Sequence, residues 1–203
     1  MPRTSTAKER LTDAALRMIW GNSYGATSVD AICEQANVKK GSFYYFFKSK
    51  SDLAVAALDA DWKGNRAQLD SIFSSTVPPL ERLKRYFEFS YEHLLQIKKE
   101  CGAVLGCPFY TLGSEVCTQD TALRDKIQEI LAWKLTYFES AIRDAHAQGL
   151  IDAPDAKAKA KALFMLIQGG LTQARIQNNL DVLRDLYPCA LDLLGAGKVE
   201  SPA

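Results

Sequence analysis

Residues 39–45 place two positive charges and several hydrogen-bond donors within two helical turns. Lys39 and Lys40 carry ammonium groups, and Ser42, Tyr44 and Tyr45 carry hydroxyl groups. Such groups donate hydrogen bonds both to phosphate oxygens and to the edges of bases in the major groove. Side chains of these types at the start of a short helix predict binding to double-stranded DNA. The alternative is that the aromatic run forms core and that the two lysines are only solvated.

The segment that precedes and contains these residues has the features of two short helices joined by a tight turn. We predict that Thr27 is the N-cap of the first of them. Ala36 is small enough for the helices to pack closely, and Asn37 tolerates a left-handed backbone best after glycine. Phe43 and Phe47 are expected to face inward. This arrangement predicts a helix-turn-helix unit, whose second helix lies in the major groove.

The positive charge is concentrated in the same part of the chain. The 203 residues have a net charge of +1, yet residues 1–50 contain eight Lys or Arg against four Asp or Glu, whereas the rest contains 17 against 20. A basic end on a slightly acidic body favours contact with a polyanion at that end. The eight basic residues are Arg3, Lys8, Arg10, Arg17, Lys39, Lys40, Lys48 and Lys50.

A family resemblance lies in residues 24–53, which read YGATSVDAICEQANVKKGSFYYFFKSKSDL. This stretch resembles the DNA-binding signature of the TetR family. The resemblance implies a dimeric repressor that binds a palindromic operator and is released by a small-molecule or electrophile effector. It implies two groups of DNA contacts: Lys39, Lys40, Gly41, Ser42 and Tyr44 in the groove, and Thr27, Ser28, Tyr45 and Lys50 on phosphates.

Apolar residues recur with helical rather than strand spacing, which predicts an all-α fold of about nine helices. We expect a three-helix DNA-binding module over residues 1–48 and a larger domain for effector binding and dimerisation over residues 49–203. Proline and glycine mark several boundaries. The first helix is expected to end at Gly21, and the others to cover 27–36, 39–46, 49–73, 79–100, a short stretch from 108, 120–147, 155–178 and 180–194.

The family resemblance also implies that the fifth to seventh helices enclose an effector pocket. Aromatic side chains at helical spacing can equally form core, and this alternative stays open for each candidate. The candidates for the pocket are Trp62, Phe87, Tyr91, Cys107, Phe109, Tyr110, Trp133, Tyr137 and Gln168.

Cys107 is also the candidate for a reactive thiol. Pro108 suits the first position of a helix, which places Cys107 at the N-cap, where the helix dipole favours a thiolate. Arg175 would add a further positive charge if the fold brings it near. The segment around Cys107 resembles the branch of the family that senses electrophiles such as N-ethylmaleimide. The alternative is a buried, inert cysteine.

The last two helices carry an apolar stripe and small residues that allow another helix to approach closely. The resemblance implies a homodimer built from these helices, with recognition helices about 34–36 Å apart on the DNA. The alternative is that the stripes pack only within one subunit. The candidates for the interface are Leu166, Gly169, Gly170, Leu183, Leu186, Tyr187 and Leu191.

Other function classes find little support in the sequence. Nucleotide-binding glycine loops, the GxSxG elbow and HExxH are absent, which argues against an enzyme, and we expect no cofactor and no metal. Five cysteines without an export signal indicate cytoplasmic thiols, and no apolar run is long enough for a membrane span. An architectural or activating DNA-binding protein without an effector is the remaining alternative.

Overall fold

A computed structural model describes residues 6–196, so Arg3 of the basic set lies outside the described residues. Over this range the chain forms α-helices and one short 3₁₀ helix and contains no strand, which confirms the predicted all-α class. The α-helices are α1 (Ala7–Gly21), α2 (Val29–Gln35), α3 (Lys40–Phe46), α4 (Lys50–Ile72), α5 (Pro79–Cys101), α6 (Pro108–Val116), α7 (Thr121–Ala147), α8 (Ala156–Gln177) and α9 (Leu186–Leu194).

The helices group into two compact units. The first unit contains the described residues up to Arg66 together with Pro108–Ile130, and the second contains Ala67–Cys107 and the described residues from Leu131 onwards. Consequently α4 and α7 each contribute residues to both units. This grouping differs from the division that we predicted between residues 48 and 49, because α6 and the first part of α7 join the N-terminal helices.

In the first unit, α1 begins with a capping box and supplies the core on which α2 and α3 pack. The Thr6 side chain accepts a hydrogen bond from the Glu9 amide, and the Glu9 carboxylate accepts one from the Thr6 amide. Reciprocal bonds of this kind satisfy amides that a helix start would leave unpaired. Leu11, Ile32 and Phe43, one from each helix, are completely buried. These three side chains fix how the short helices pack on α1.

The turn between α2 and α3 depends on Asn37. Its φ angle is 50°, in the left-handed region, as its sequence context predicted. A hydrogen bond of 2.9 Å from the Val38 amide to the Cys33 carbonyl then connects the turn back to α2. Ala36 is buried at the end of α2. A larger residue at 36 or a β-branched residue at 37 would therefore disturb the angle between the two helices.

The second unit is built around an aromatic cluster. Tyr86 of α5 and Phe164 of α8 both pack against Phe138 of α7, with ring centroids 4.8 and 5.7 Å apart. Beside this cluster the buried Arg82 donates a hydrogen bond to the Asp144 carboxylate at 2.6 Å. Because a buried guanidinium without a partner is costly, this ion pair ties α5 to α7.

The structure corrects the predicted ninth helix. Instead of one helix over 180–194, it contains a 3₁₀ turn at Asp181–Leu183 and α9 from Leu186. A continuous helix would place Pro188 in its interior, where proline lacks the amide hydrogen and its ring collides with the carbonyl four residues earlier. Starting at Leu186 places Pro188 in the first turn, where no hydrogen bond is lost.

None of the helices in residues 6–196 is long and apolar enough to cross a membrane.

Candidate nucleic-acid interface

The outer face of α3 carries polar and aromatic side chains that the fold leaves uncovered. Tyr44 is 58% exposed and Tyr45 is 83% exposed, and Lys39, Lys40 and Gly41 are also exposed. A Cβ atom added at Gly41 would meet no atom within 4 Å, so the backbone there is open to a close approach from outside. The N-terminal half of α3 can therefore enter a groove without rearrangement of the protein.

The inner face of α3 anchors the helix. Phe43 is completely buried and Phe47 is 5% exposed, as predicted. The Tyr44 ring stands edge-to-face against Phe43, with centroids 5.0 Å apart. Fixed packing on one side and exposure on the other are what a recognition helix requires, because its outer side chains must be held in a defined position.

The N-terminus of α2 differs from the prediction. Ser28, rather than Thr27, is the N-cap, and its hydroxyl accepts a hydrogen bond from the Ala31 amide at 3.1 Å. Thr27 is 2% exposed, and its hydroxyl donates to the Ser23 carbonyl at 2.7 Å. The Thr27 side chain therefore holds the α1–α2 loop together from the inside. Buried in this way, it is unable to reach a phosphate.

Lys50, at the start of α4, is directed towards the same loop. Its ammonium donates to the Tyr24 carbonyl at 2.8 Å and to the Thr27 carbonyl at 3.0 Å. It also lies 4.0 Å from the centroid of the Tyr24 ring. Burial, followed by the nearby carboxylates of Asp120 and Glu115, raises the pKa of Tyr24, so the phenol stays neutral. Lys50 is thus a structural cation of the module, with the α1–α2 loop as its partner.

Glu115 of α6 holds the other side of this loop. Its two carboxylate oxygens accept hydrogen bonds from the Tyr24 amide at 2.9 Å and from the Gly25 amide at 2.7 Å. Hydrogen bonds to a carboxylate are stronger than neutral ones. The loop before α2 is therefore fixed by Lys50 through its carbonyls and by Glu115 through its amides. No signal in the sequence connects residues 90 positions apart, so Glu115 could not be identified from the sequence.

Lys40, the first residue of α3, forms an ion pair with Asp30 of α2. The distance between Lys40 Nζ and Asp30 Oδ1 is 2.6 Å, and both side chains are exposed. The hydrogen bond to Asp30 is the main reason that the pKa of Lys40 is raised. Among the described residues Lys39 has no ion pair, so the two neighbouring lysines differ in their surroundings.

The effector-pocket candidates are divided between the two units of the structure. Trp62, Phe109 and Tyr110 belong to the first unit, and the other candidates belong to the second. Trp133 is 43% exposed and lies on the surface rather than at an interior wall. Tyr137 donates its hydroxyl hydrogen to Asp70, and its ring packs at a tilt against Phe73.

Two of the candidates, Phe87 and Tyr91, line a narrow cleft in the second unit. Its volume is about 20 Å³, room for little more than one water molecule. Burial raises the pKa of the Tyr86 phenol at its wall, so this hydroxyl remains a neutral donor. The cleft is mainly apolar with a few hydroxyl groups; its remaining lining residues are Ser90, Ile167, Leu171, Leu183 and Leu186. Gln168, on the same helix as two of them, is 4% exposed, and its side-chain oxygen has no hydrogen-bond partner among the described residues.

Cys107 directly precedes α6, which begins at Pro108 as predicted. The thiol is buried, with 8% exposure. Arg175 does lie beside this segment, because its guanidinium donates to the Leu105 carbonyl at 2.5 Å. Reactive cysteines are normally at least partly exposed. In this conformation the surroundings of Cys107 are therefore those of a packing residue.

The candidates for the dimer interface divide into two groups. Gly170 packs within the subunit, since a Cβ atom there would lie 3.0 Å from the Leu186 side chain, and Leu183 and Leu186 are themselves buried. Gly169 is open, with no atom within 4 Å of an added Cβ. The uncovered face of α8 instead includes Met165, 66% exposed, and Ile176, 71% exposed. Two of the predicted interface residues, Gly170 and Leu186, thus form part of the contact between α8 and α9, and Leu183 belongs to the 3₁₀ turn that precedes α9.

Both the N-terminal and the C-terminal parts of the chain match models of regulatory protein families. Residues 11–57 match the family described as bacterial regulatory proteins, tetR family, and residues 79–187 match the tetracyclin repressor-like C-terminal domain. The chain is 28% identical to the transcriptional regulator AcuR of Cereibacter sphaeroides over 184 residues, covering 90% of this chain and 82% of the relative. Its fold is similar to the crystal structure of regulatory protein TetR from Rhodobacter sphaeroides, with a TM-score of 0.82, 26% identity and coverage of 92% and 97%.

A more distant similarity is to the HTH-type transcriptional repressor NemR of Escherichia coli. The two chains are 22% identical over 182 residues, which is 88% of each. The structure of its reduced form superposes with a TM-score of 0.78 at 19% identity, covering 94% of this chain and 98% of that one. At this identity the likeness extends to the fold alone. The resemblance of the Cys107 segment to an electrophile-sensing branch therefore stays a prediction.

Proposed function

Because the chain belongs to the tetR family of bacterial regulatory proteins, we propose that it is a homodimeric repressor which binds a palindromic operator and is released by a small-molecule effector. The observation that carries this proposal is the exposed N-terminal half of α3 above a completely buried Phe43. A short helix anchored in this way presents its first residues to base edges in the major groove. Because its proposed target is DNA, the protein is proposed to act in the cytoplasm.

The proposed division of DNA contacts follows from exposure. Lys39, Lys40, Gly41, Ser42 and Tyr44 form the groove-facing surface of α3. Tyr45, the most exposed of the aromatic side chains here, and Ser28 at the start of α2 flank this surface and contact phosphates. Thr27 and Lys50 support the loop before α2 and act on DNA binding through it.

The proposed dimer uses the uncovered face of α8. Met165, Gly169 and Ile176 recur on one side of this helix, and large apolar side chains exposed to this extent favour contact with another protein surface. The proposed interface also includes Leu166, Tyr187 and Leu191, which are half-buried in the single chain. A twofold axis through this face would relate the two copies of α3, so the operator would have two half-sites related by the same symmetry.

The proposed effector site is the cleft lined by Phe87 and Tyr91. A mainly apolar lining with a few hydroxyl groups suits a small, largely apolar molecule with one polar group. Because the cleft has room for little more than a water molecule, the effector must widen it. Release from DNA requires only that the effector favours the widened state by about 1–3 kcal/mol.

The proposal is tested by a band-shift assay with the promoter DNA that flanks the gene of this protein. Wild-type protein is expected to retard this duplex in the presence of excess random DNA, whereas Tyr44→Ala protein is not. Candidate small molecules are then added to the complex, and an effector is recognised by release of the DNA. Equal retardation of promoter and random DNA would contradict the proposal.

A further inference from the structure

The ion pair between Asp30 and Lys40 brings a negative charge to the surface that is proposed to face DNA. Asp30 is the second residue of α2, Lys40 is the first residue of α3, and their side-chain atoms are 2.6 Å apart. The Lys40 side chain is 53% exposed and that of Asp30 is 68% exposed. Exposed ion pairs stabilise a protein by only about 0–1 kcal/mol. The ion pair itself therefore adds little to the stability of the fold, while the carboxylate would repel phosphates nearby.

The carboxylate changes what Lys40 is able to contact. A lysine ammonium is a compact charge on a flexible stem, and when unrestrained it binds phosphates of any sequence. With one N–H bonded to Asp30, the ammonium is held at the first turn of α3 and keeps further N–H groups for another acceptor. Guanine presents two acceptors, N7 and O6, in the major groove. The negative charge beside the ammonium disfavours a phosphate in that place.

The other groups around Lys40 leave this pair undisturbed. Cys33 lies nearby on α2, and its pKa is raised by burial and then by Asp30, so the thiol stays neutral. The Tyr44 hydroxyl is the other group whose electrostatic effect reaches Lys40. Lys39, one residue earlier, has no ion pair to a described residue. Lys39, the N-cap of α3, lacks such a carboxylate, so Lys39→Met shows what the loss of a lysine charge from this surface does by itself.

We infer that Asp30 is a positioning residue for sequence discrimination: it holds the Lys40 ammonium for contact with a base and prevents it from binding a phosphate. This inference rests on the proposed function, because it requires that α3 reads DNA. Asp30 itself contacts Lys40 and acts through it. Its effect on DNA binding is therefore expected to depend on the presence of Lys40.

The experiment uses the full-length chain and a pool of DNA duplexes with randomised bases. The pool is selected with wild-type protein, and base preference at each position is then measured for Asp30→Asn, Lys40→Met, the double variant and Lys39→Met. Asp30→Asn and Lys40→Met are expected to lose preference at the same base pair. Lys39→Met removes a charge from the groove-facing surface, so its overall affinity for DNA is expected to fall, while the preference at that base pair is expected to remain. Circular dichroism establishes that each variant is folded.

A second readout is the dependence of random-DNA affinity on salt. Freed from Asp30, Lys40 is expected to neutralise one more phosphate, which steepens the slope of log K against log salt by about 0.9. In the Lys40→Met background the same Asp30→Asn change is expected to leave this slope unaltered.

The outcomes separate this inference from the proposed function. If wild-type protein selects no sequence from the pool, both are overturned. If wild-type protein selects a sequence and Asp30→Asn keeps both its base preference and its salt slope, only the role of Asp30 is overturned. An equal effect of Asp30→Asn with and without Lys40 would likewise overturn it, because Asp30 would then act by its own charge.

Discussion

Lysines 39, 40 and 50 have the same chemistry but contact different groups. Lys50 donates to two main-chain carbonyls and lies over the Tyr24 ring. Lys40 is paired with Asp30, and Lys39 is exposed at the N-cap of α3. A signature in the sequence gives all three a positive charge near DNA. The contacts assign Lys50 to the architecture of the first unit and leave Lys39 and Lys40 on the surface that is proposed to face DNA.

Lys50→Met is expected to destabilise the folded protein. The methionine keeps most of the apolar stem but loses two hydrogen bonds from a charged donor and the contact with the Tyr24 ring, which together contribute about 1–3 kcal/mol. The measurement is the free energy of unfolding in urea. Lys39→Met serves as the control and should change this free energy by less than about 0.5 kcal/mol. If the two variants unfold alike, Lys50 is free to act as a phosphate contact.

The reactivity of each cysteine depends on its own exposure and on the pKa of its thiol. Cys101 is exposed, whereas Cys107 is buried and burial raises the pKa of Cys117. In the folded protein, N-ethylmaleimide is expected to modify Cys101 faster than Cys107. Modification of Cys117 should be slow at pH 7 and accelerate as the pH rises, because a raised pKa leaves little thiolate at neutral pH. Mass spectrometry of peptides sampled over time measures these rates. Fastest modification at Cys107 would instead support an electrophile sensor.

At the scale of residues, the sequence predicted the features that depend on residue type and local spacing. The left-handed backbone at Asn37 and the burial of Phe43 and Phe47 follow from residue type and spacing. The N-cap was displaced by one residue, since Thr27 and Ser28 are adjacent and both suit that position. Glu115 was beyond prediction because its partners lie 90 residues away.

At the scale of helices, Glu115 connects the loop between α1 and α2 to α6. Glu115→Gln should weaken this connection, because an amide has one oxygen for the two loop amides and places an N–H₂ group against the other. We expect a loss of about 1–3 kcal/mol in the free energy of unfolding, together with weaker operator binding. The dependence of operator binding on salt should not change, since Glu115 is not assigned a phosphate contact.

The control for this variant is Glu129→Gln, which removes a carboxylate of the first unit that is paired on the surface with Lys126 at 2.8 Å. Surface pairs of this kind contribute about 0–1 kcal/mol. Equal losses for the two variants would mean that the loop does not depend on Glu115.

The two neighbouring glycines of α8 are expected to differ in their effects. Gly170→Val should destabilise each subunit, because its Cβ would lie 3.0 Å from the Leu186 side chain. Gly169→Leu meets open space in the single chain and should leave each subunit folded, yet it should weaken the proposed dimer. Sedimentation velocity combined with thermal unfolding separates the two effects. A Gly169→Leu protein that remains fully dimeric would place the interface elsewhere.

Helix bounds were predicted to within one or two residues where proline, glycine or an N-cap residue marks them, as at Gly21, Pro79 and Pro108. The region after residue 180 was predicted less well. Its apolar spacing suits one helix, and the break results from the steric requirements of Pro188. Which face of α8 packs on α9 was also not predicted, because Gly169 and Gly170 are indistinguishable in a pattern of small residues.

At the scale of the whole molecule, the proposed effector cleft belongs to the second unit and the DNA-facing helices to the first. Two helices, α4 and α7, each run from one unit into the other. The sequence predicted a DNA-binding part and a larger remainder, but not that α6 groups with the former, since this depends on contacts between residues far apart in the chain.

In the proposed dimer two copies of α3 read a twofold-symmetric site, and footprinting on the promoter DNA that flanks the gene of this protein is the most direct test. We predict protection of a palindrome whose half-sites are centred about one helical turn apart, roughly 34–36 Å or 10 base pairs, or a multiple of this. The protection should disappear with Tyr44→Ala protein that is folded and dimeric. Protection of a single half-site, or no sequence-specific protection by wild-type protein, would contradict the account.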